Sequence, residues 1–330
     1  MNPGLMALAV FWTALAVIQM AAAETAPELQ RGFAERRFQL ERGDVVAFVG
    51  GTDVAAALHS GHVESLLAAQ YCGLGIRYRN FGWEGDTVFV QPRDVNFPPL
   101  AAHMEKAGAT VIVLQFGRAE ALEGLEVLPR FASAYESMIE AFSKRTRRLA
   151  IVTPPPFENS GELLPNLASR NGDLAAFVEA IRALANKKSL PLLDVFAELG
   201  GGSGVALRLT ENGLQLSPRG HGLVARAFMD QAGYGRIARL AGDPSQDGAW
   251  SDPAMERLRL AVLEKNRLWL HYWRPHNWAF LGGDRVSQPS SRDHVNPKVR
   301  WFPIEMEKFV PLIHSAEARL EEAASNTALP

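Results

Sequence analysis

Four short segments carry residue types that together could break an ester bond. They occupy residues 48–52, 80–87, 115–120 and 210–215, and each contains at least one glycine beside polar side chains. Ester cleavage of this kind needs an activated hydroxyl, a base that takes its proton, and N–H donors that stabilise the oxyanion. The first segment supplies a hydroxyl at Thr52, and the glycines of the other segments supply backbone N–H groups.

In order, spacing and strand context, residues 44–231 resemble the SGNH (GDSL-type) hydrolases, which are esterases. Thr52 matches the nucleophilic serine of that family. Gly85 matches the oxyanion glycine of the family's N-x-G-x-x-G-D-T block, which reads Asn80–Thr87 here. The resemblance implies a flavodoxin-like three-layer α/β/α fold with a mostly parallel sheet. It also implies a site beyond the carboxyl ends of the strands.

The sequence departs from the family at most of the catalytic positions. Ala119 replaces the asparagine whose amide supplies an oxyanion donor, a loss typically worth about 2.7–4 kcal/mol of transition-state stabilisation. Asn212 and Gln215 stand at the aspartate and histidine positions. Glutamine cannot take a proton at a working pH, and loss of a general base typically costs about a hundred- to ten-thousand-fold in rate. For Thr52, a helix-capping role competes with that of a weak nucleophile. Glu211 is either a displaced carboxylate or a surface residue.

Several side chains near these segments are candidates for binding a ligand. Trp83 lies between two glycines and is either exposed over the cleft or buried against the sheet. Arg118 either replaces the missing donor, pairs with Glu120, or reaches solvent. We expect Trp83, Arg118 and Glu120 to contact ligand.

The C-terminal segment 265–277 is similar to one found in exported SGNH-like proteins of large bacterial families. Its flat aromatic faces and the paired N–H donors of its arginines suit a sugar or an acidic ligand. The predicted contacts are Trp273, Arg274 and His276. Alternatively, the tryptophans dock the C-terminal helices onto the α/β domain. His271 or His276 folded over the cleft would be a relocated base for Thr52.

No cofactor, metal or nucleic acid is expected from this sequence. His59 and His62 lie three apart on a predicted helix, but no third ligand is evident. His221 lies inside a predicted helix, where its direction does not suit Thr52. The glycine-rich stretch 200–204 lacks the G-K-[ST] ending of a phosphate loop, and the net charge is -2. The single cysteine, Cys72, rules out an intramolecular disulfide.

Alternating strands and helices are predicted to position the four segments. Short β-branched runs indicate five strands, and amphipathic runs indicate helices between and after them. The predicted strands are 45–49, 76–79, 111–114, 149–152 and 191–194. The predicted helices are 54–70, 127–144, 174–186, 218–231, 253–272 and 304–324. This alternation is typical of a parallel sheet covered on both faces.

The chain is predicted to have an export segment, one hydrolase-like domain and an extension. Residues 5–23 are almost wholly apolar and end in three alanines, which indicates a signal peptide of residues 1–23, or an uncleaved anchor through residues 5–23. The hydrolase-like domain covers 24–241, a linker 242–252, and a helical extension 253–330. We therefore expect an exported, periplasmic or extracellular protein.

Three functions are compatible with this pattern. The first is a degenerate hydrolase whose cleft binds a carbohydrate, an acylated ligand or a protein. The second is an atypical ester hydrolase that uses Thr52 with a relocated histidine. The third is a purely structural or assembly role.

Overall fold

Five parallel strands form one sheet at the centre of the computed structural model, which describes residues 32–161, 163–203 and 207–327. The strands are β1 (Val45–Gly50), β2 (Arg77–Asn80), β3 (Val111–Gln115), β4 (Leu149–Val152) and β5 (Leu192–Leu193). Their order in the sheet is β2-β1-β3-β4-β5, with Ala47 paired to both Arg79 and Ile112. This is the flavodoxin-like strand order.

Thirteen α-helices and several 3-10 turns surround the sheet in the described part of the chain. They are α1 (Thr52–Ser60), α2 (His62–Gln70), α3 (Leu100–Ala107), α4 (Arg118–Ala121), α5 (Leu128–Ser143), α6 (Asn171–Lys188), α7 (Val195–Glu198), α8 (Pro218–Gln231), α9 (Gly235–Ala241), α10 (Pro253–Trp273), α11 (Trp278–Leu281), α12 (Trp301–Glu307) and α13 (Phe309–Ser325). The 3-10 turns cover Ala34–Arg36, Leu125–Val127, Leu167–Arg170 and Pro289–Ser291.

The core has two layers of side chains, one on each face of the sheet. Ile112 and Leu114 of β3 pack against α5 and α6, whereas Val111 and Val113 pack on the opposite face, towards α2, α8 and α10. Because successive residues of a strand point to opposite faces, the fully buried part of a strand must be apolar throughout, as residues 111–114 of β3 are. The predicted three-layer α/β/α fold is therefore confirmed.

Two long predicted helices are each interrupted in the structure. The predicted helix 54–70 is wrong as a single element, because Gly61 adopts a φ of +70° and separates α1 from α2. The predicted final helix 304–324 likewise divides into α12 and α13. The sequence interpretation also missed α3, the crossover helix between β2 and β3. By contrast, the predicted bounds of α8 agree with the structure.

The long helix α10 lies along the outer edge of β2, which has no strand on that side. The N–H groups of Arg77 and Phe81 donate towards β1, so the backbone groups of Tyr78 and Asn80 between them face outward. Lys265 Nζ donates to Tyr78 O at 3.0 Å, and Trp269 Nε1 donates to Asn80 O at 2.9 Å. Positions four apart on a helix rise about 6 Å, close to the spacing of alternate strand residues. The K-N-x-x-W spacing of the C-terminal segment thus matches the strand edge.

A buried ion pair reinforces this attachment. Lys265 Nζ lies 2.5 Å from Glu64 Oε1 and also donates to Asn266 Oδ1 at 2.6 Å. Asn266 in turn donates to Leu58 O at 3.1 Å. Burial raises the pKa of Glu64 and lowers the pKa of Lys265, and each is opposed by the charge of the other. Both charges are therefore held in the interior by the contact between them.

The described residues belong to one compact unit. The predicted boundary at 242–252 stays a prediction, although α10 packs on the hydrolase-like part through α1 and α2. Among the described residues, no helix is both long enough and apolar enough to cross a membrane. The predicted signal peptide or anchor, residues 1–23, lies outside the described residues.

Candidate functional site

A cleft of about 200 Å³ opens at the carboxyl ends of β1, β3 and β4. The structure brings three of the predicted motif positions, Thr52, Asn212 and Gln215, to its wall, and Ala119 lines it as well. From the glycine-rich segment 80–87, Asp86 lines the cleft. All four segments thus meet at one site, where ligands of doubly wound α/β sheets bind.

Thr52 is the first residue of α1, and its side chain is exposed to the cleft. Gly51 is the N-cap residue and no side chain caps this helix, so the capping interpretation of Thr52 is wrong. The Thr52 Oγ1 atom accepts a hydrogen bond from the N–H of Gly85 at 3.4 Å. Within the described chain no imidazole is hydrogen-bonded to this hydroxyl, and none lines the cleft.

The glycine-rich segment fits tightly against the start of α1. Asn80 Nδ2 donates to Val54 O at 2.7 Å, while its Oδ1 accepts from the N–H of Gly82 at 2.8 Å. A Cβ atom at Gly82 would lie 2.4 Å from the backbone nitrogen of Ala55, so only glycine fits. This packing brings Gly85 to Thr52, as the resemblance implies.

Arg93 fixes the far end of the same segment. Its guanidinium contacts both carboxylate oxygens of Asp86, at 2.6 and 2.7 Å. Burial raises the pKa of Asp86 and the two hydrogen bonds from Arg93 oppose that rise. The bidentate contact holds the loop that follows Gly85 against the sheet.

Arg118 pairs across the cleft floor with Asp53 rather than with Glu120 or with solvent. Its Nη1 lies 2.9 Å from Asp53 Oδ1, and its Nη2 donates to Pro156 O at 3.0 Å. The guanidinium also lies over the ring of Phe157, 5.3 Å from its centroid. Arg118 therefore connects the segments that follow β1, β3 and β4. The ligand contact predicted for Arg118 stays a prediction.

Glu120 is buried and both of its oxygens accept backbone N–H groups. Oε1 accepts from Val88 at 2.8 Å and Oε2 accepts from Gly117 at 2.9 Å. Burial raises the pKa of Glu120 and these backbone donors oppose the rise. The side chain thus joins the second segment to the third, and its predicted ligand contact stays a prediction.

The fourth segment is a tight turn closed by a bridge between Thr210 and Leu216. Asn212 Oδ1 accepts from the N–H of Leu214 at 3.1 Å and of Gln215 at 2.7 Å. Asn212 therefore stabilises its own turn. The side chain of Gln215 is exposed and makes no hydrogen bond among the described residues, so its amide is available to a ligand.

The histidines proposed as a relocated base lie elsewhere. His271 and His276 line a separate groove with His59 and Arg267. Since neither histidine lines the Thr52 cleft, neither lies where it could take the proton of the Thr52 hydroxyl. His221 lies beneath the cleft near Asp53, and burial lowers its pKa to about 4.

The metal interpretation of the first two histidines has no support either. His62 is buried in α2 and its Nε2 donates to Gly248 O at 2.6 Å, whereas His59 is exposed. The parts of the chain that the structure describes contain no group of three His, Cys, Asp or Glu residues suited to a metal.

The aromatic candidates form a packed cluster instead of an open platform. Trp273 is only 3% exposed and contacts Phe81 and Trp83 edge to face, at 5.2 and 5.7 Å between centroids. Trp83 is half-buried, with the guanidinium carbons of Arg93 and Arg274 at 4.3 and 3.7 Å from its centroid. These tryptophans dock the extension, as the alternative interpretation predicted.

The remaining predicted contacts lie beside this cluster. Arg274 also forms an ion pair with Glu84 at 2.5 Å, and His276 is exposed. The ligand contacts predicted for Trp83, Trp273, Arg274 and His276 stay untested.

Sequence reasoning missed the Asp53–Arg118 pair and the roles of Asp86 and Gln115 in the cleft. A signal for the pair was present: opposite charges directly follow two strands, β1 and β3, that are neighbours in a 2-1-3-4-5 sheet. The carboxyl ends of neighbouring parallel strands lie side by side.

Comparisons with known proteins place most of this region in one family. The family model described as the GDSL-like Lipase/Acylhydrolase family matches residues 43–223. A search of curated proteins found no match.

Among solved structures, similar chains include a gut microbial diltiazem-metabolizing enzyme, with 16% identity and a TM-score of 0.47 over 59% of this chain and 48% of that one. LAE5, an alpha/beta hydrolase enzyme from the metagenome of Lake Arreo in Spain, has 15% identity and a TM-score of 0.46 over 59% and 98%. The acetylxylan esterase Axe2 from Geobacillus stearothermophilus has 17% identity and a TM-score of 0.43 over 59% and 97%. The chain thus spans about half the length of the first of these proteins.

Proposed function

The chain belongs to the GDSL-like lipase/acylhydrolase family, and we propose that it has lost the family's ester hydrolysis and binds a carbohydrate or acylated ligand in the retained cleft. One observation carries the proposal. The hydroxyl at the nucleophile position, that of Thr52, accepts a hydrogen bond from a backbone N–H, and in the described chain no imidazole lines the cleft and no imidazole or carboxylate is hydrogen-bonded to this hydroxyl. An unactivated hydroxyl is a poor nucleophile at neutral pH.

The substituted positions change the cleft from a reactive site into a hydrogen-bonding one. Gln215 can donate and accept but cannot transfer a proton, and Ala119 offers no amide to an oxyanion. The polar groups on the wall alternate with the apolar side chains of Leu122 and Leu214. Amides beside apolar side chains suit a ligand that carries both hydroxyl and acyl groups.

Hydrolysis should be tested first, with the purified chain and 4-nitrophenyl acetate. The expected turnover equals that of a Thr52→Ala variant, and a fluorophosphonate probe leaves both proteins unlabelled. Turnover that disappears in Thr52→Ala would overturn the proposal and favour the atypical esterase.

Restoring the family residues tests the reason for inactivity. A variant with Thr52→Ser, Ala119→Asn, Asn212→Asp and Gln215→His regains a base and a donor around a hydroxyl that Gly85 already contacts. We expect at least about a hundredfold more hydrolysis than in the parent chain, the typical contribution of a general base. The same variant without Gln215→His is the matched control.

Binding should be tested by calorimetry with monosaccharides, disaccharides and their O-acetylated forms. Ala119 is exposed on the cleft wall, so Ala119→Trp is expected to fill the cleft and abolish binding without disturbing the core. Gln215→Ala is expected to weaken binding up to about tenfold, as for the loss of one hydrogen bond. Absence of binding to every member would favour the structural or assembly role.

Location outside the cytoplasm is part of this proposal. Residues 1–23 have the composition of a signal peptide or anchor. N-terminal sequencing of the chain recovered from fractionated cells distinguishes the cases. A first residue at Glu24 supports removal, an intact N-terminus in the membrane fraction supports an anchor, and a soluble cytoplasmic chain contradicts export.

A further inference from the structure

A second cavity, of about 460 Å³, lies between the outer edge of β2, α3 and the C-terminal helices. We name it the extension cavity. Four aromatic side chains line it: Trp269, Tyr272, Trp273 and Trp278. None of them belongs to the Thr52 cleft, whose lining residues are different.

The size and lining of the extension cavity are those of a ligand site. Small-molecule pockets typically measure about 300–1,000 Å³, with mostly apolar and aromatic walls and a few polar groups that fix orientation. The extension cavity lies within this range of volumes and is open to solvent on one side.

One arginine of the cavity lining has no carboxylate partner in the part of the chain that the structure describes. Arg79 forms an ion pair with Glu317 at 2.6 Å, and Lys106 lies 3.3 Å from Glu307. Arg77 precedes Arg79 by two residues on β2, so both point to the same face of the strand. Arg77 is exposed and has no carboxylate partner within the described parts of the chain.

Two histidines, His103 and His314, also line the extension cavity, and neither imidazole supplies a negative charge that could pair with Arg77. Burial lowers the pKa of His103 to about 4, so its ring is neutral at pH 7. Among the described residues that line the cavity, the partly exposed side chains of Tyr272 and Trp278 therefore lie beside one exposed guanidinium, that of Arg77, without a carboxylate partner.

We propose that the extension cavity binds a small aromatic monoanion, with its ring against the partly exposed side chains of Tyr272 and Trp278 and its carboxylate paired to Arg77. Flat rings pack edge to face or offset against tryptophan and tyrosine. A guanidinium presents two parallel N–H donors to a carboxylate. This site is independent of the proposed function of the Thr52 cleft.

Binding should be measured on the full chain with 2-naphthoate and with its neutral analogue 2-naphthamide. Wild-type protein is expected to bind one naphthoate, about tenfold (about 1.4 kcal/mol) more tightly than the amide, because only the carboxylate forms charge-assisted hydrogen bonds with both N–H donors of the guanidinium. Arg77→Gln should remove this difference and leave the amide affinity unchanged. The matched control is Arg257→Gln, an exposed arginine on α10 outside the cavity, which should change neither affinity.

Two filling variants locate the bound probe. Ala102 is exposed and lines the extension cavity, so Ala102→Trp should abolish binding of both probes. Ala119→Trp fills the other cleft and should leave both affinities unchanged. Equal affinity of acid and amide for wild type, loss of binding in Ala119→Trp, or no binding of either probe would each overturn the proposal. Failure of carbohydrate binding in the cleft would leave these expectations unchanged.

Discussion

Replacing Lys265 by methionine should strongly destabilise the fold. The ammonium has three oxygen neighbours within 3.0 Å, from Glu64, Asn266 and Tyr78, and its side chain is 1% exposed. Methionine keeps most of the apolar stem but leaves the carboxylate of Glu64, 7% exposed, without a counter-charge. Removing one partner of a buried ion pair typically costs about 3–5 kcal/mol. The expected decrease in Tm is roughly 10 °C.

The loss should depend on pH in a defined direction. Burial raises the pKa of Glu64 above its ordinary value, and the charge of Lys265 opposes that rise. Without Lys265 the pKa rises further, so the folded variant takes up a proton at a pH where the unfolded chain does not. Stability therefore increases as the pH falls through that window, and the deficit of Lys265→Met should shrink on acidification from pH 7.

Urea unfolding followed by tryptophan fluorescence measures the free energy of unfolding. The matched control is Lys308→Met, which removes an exposed lysine paired with Glu305 and should change stability by less than about 0.5 kcal/mol. The double variant Glu64→Gln with Lys265→Met should recover most of the loss, because an uncharged pair needs no counter-ion. A cost below about 1 kcal/mol for Lys265→Met, or no recovery in the double variant, would refute the reasoning.

Three further predictions test other parts of the fold. Gly61→Ala forces alanine into a left-handed conformation with its Cβ 3.2 Å from neighbouring side chains, so we expect a loss of more than about 1 kcal/mol in urea unfolding. Gly73→Ala has a similar φ and no nearby atoms, so it should lose less; equal losses would contradict the contact argument. The pKa of His62 is lowered to about 4 by burial, so between that value and about 6.5 the unfolded chain binds a proton that the folded chain does not. The titration of His62 should therefore lower the stability by about 3 kcal/mol as the pH falls through this range, and His62→Gln should remove this contribution while those of His103 and His221, whose pKa values burial also lowers to about 4, remain. Glu120→Gln turns an amide N–H₂ towards a backbone donor, so a loss of stability of about 1–3 kcal/mol is expected in thermal unfolding. An unchanged Tm would argue that the two hydrogen bonds from Val88 and Gly117 to Glu120 do not stabilise the fold.

The strands and the order of the site segments were predictable from sequence because local composition determines them. Runs such as 111–114 are apolar on both faces, which is typical of a covered parallel strand, and the motif segments follow strand ends. The meeting of Thr52, Asn212 and Gln215 at one cleft follows from that arrangement. The substitutions at these positions are equally visible in the sequence.

The partners of the charged side chains were not predictable in the same way. Arg118 faces Asp53, 65 residues away, and Lys265 faces Glu64, about 200 residues away. Such pairs depend on how the helices pack on the sheet, which periodicity does not specify. The break at Gly61 was also missed, because apolar residues continue on both sides and conceal the change of helix direction.

The docking of α10 through Lys265 and Trp269 has a consequence for folding and solubility. Exposed strand edges are templates for pairing with other chains, and many proteins protect them with a covering helix. Here the cover is encoded beyond residue 250, after the region that the family model matches. During synthesis the outer carbonyls of β2 therefore stay open to intermolecular pairing until α10 has been made. A chain truncated before α10 should aggregate through that edge.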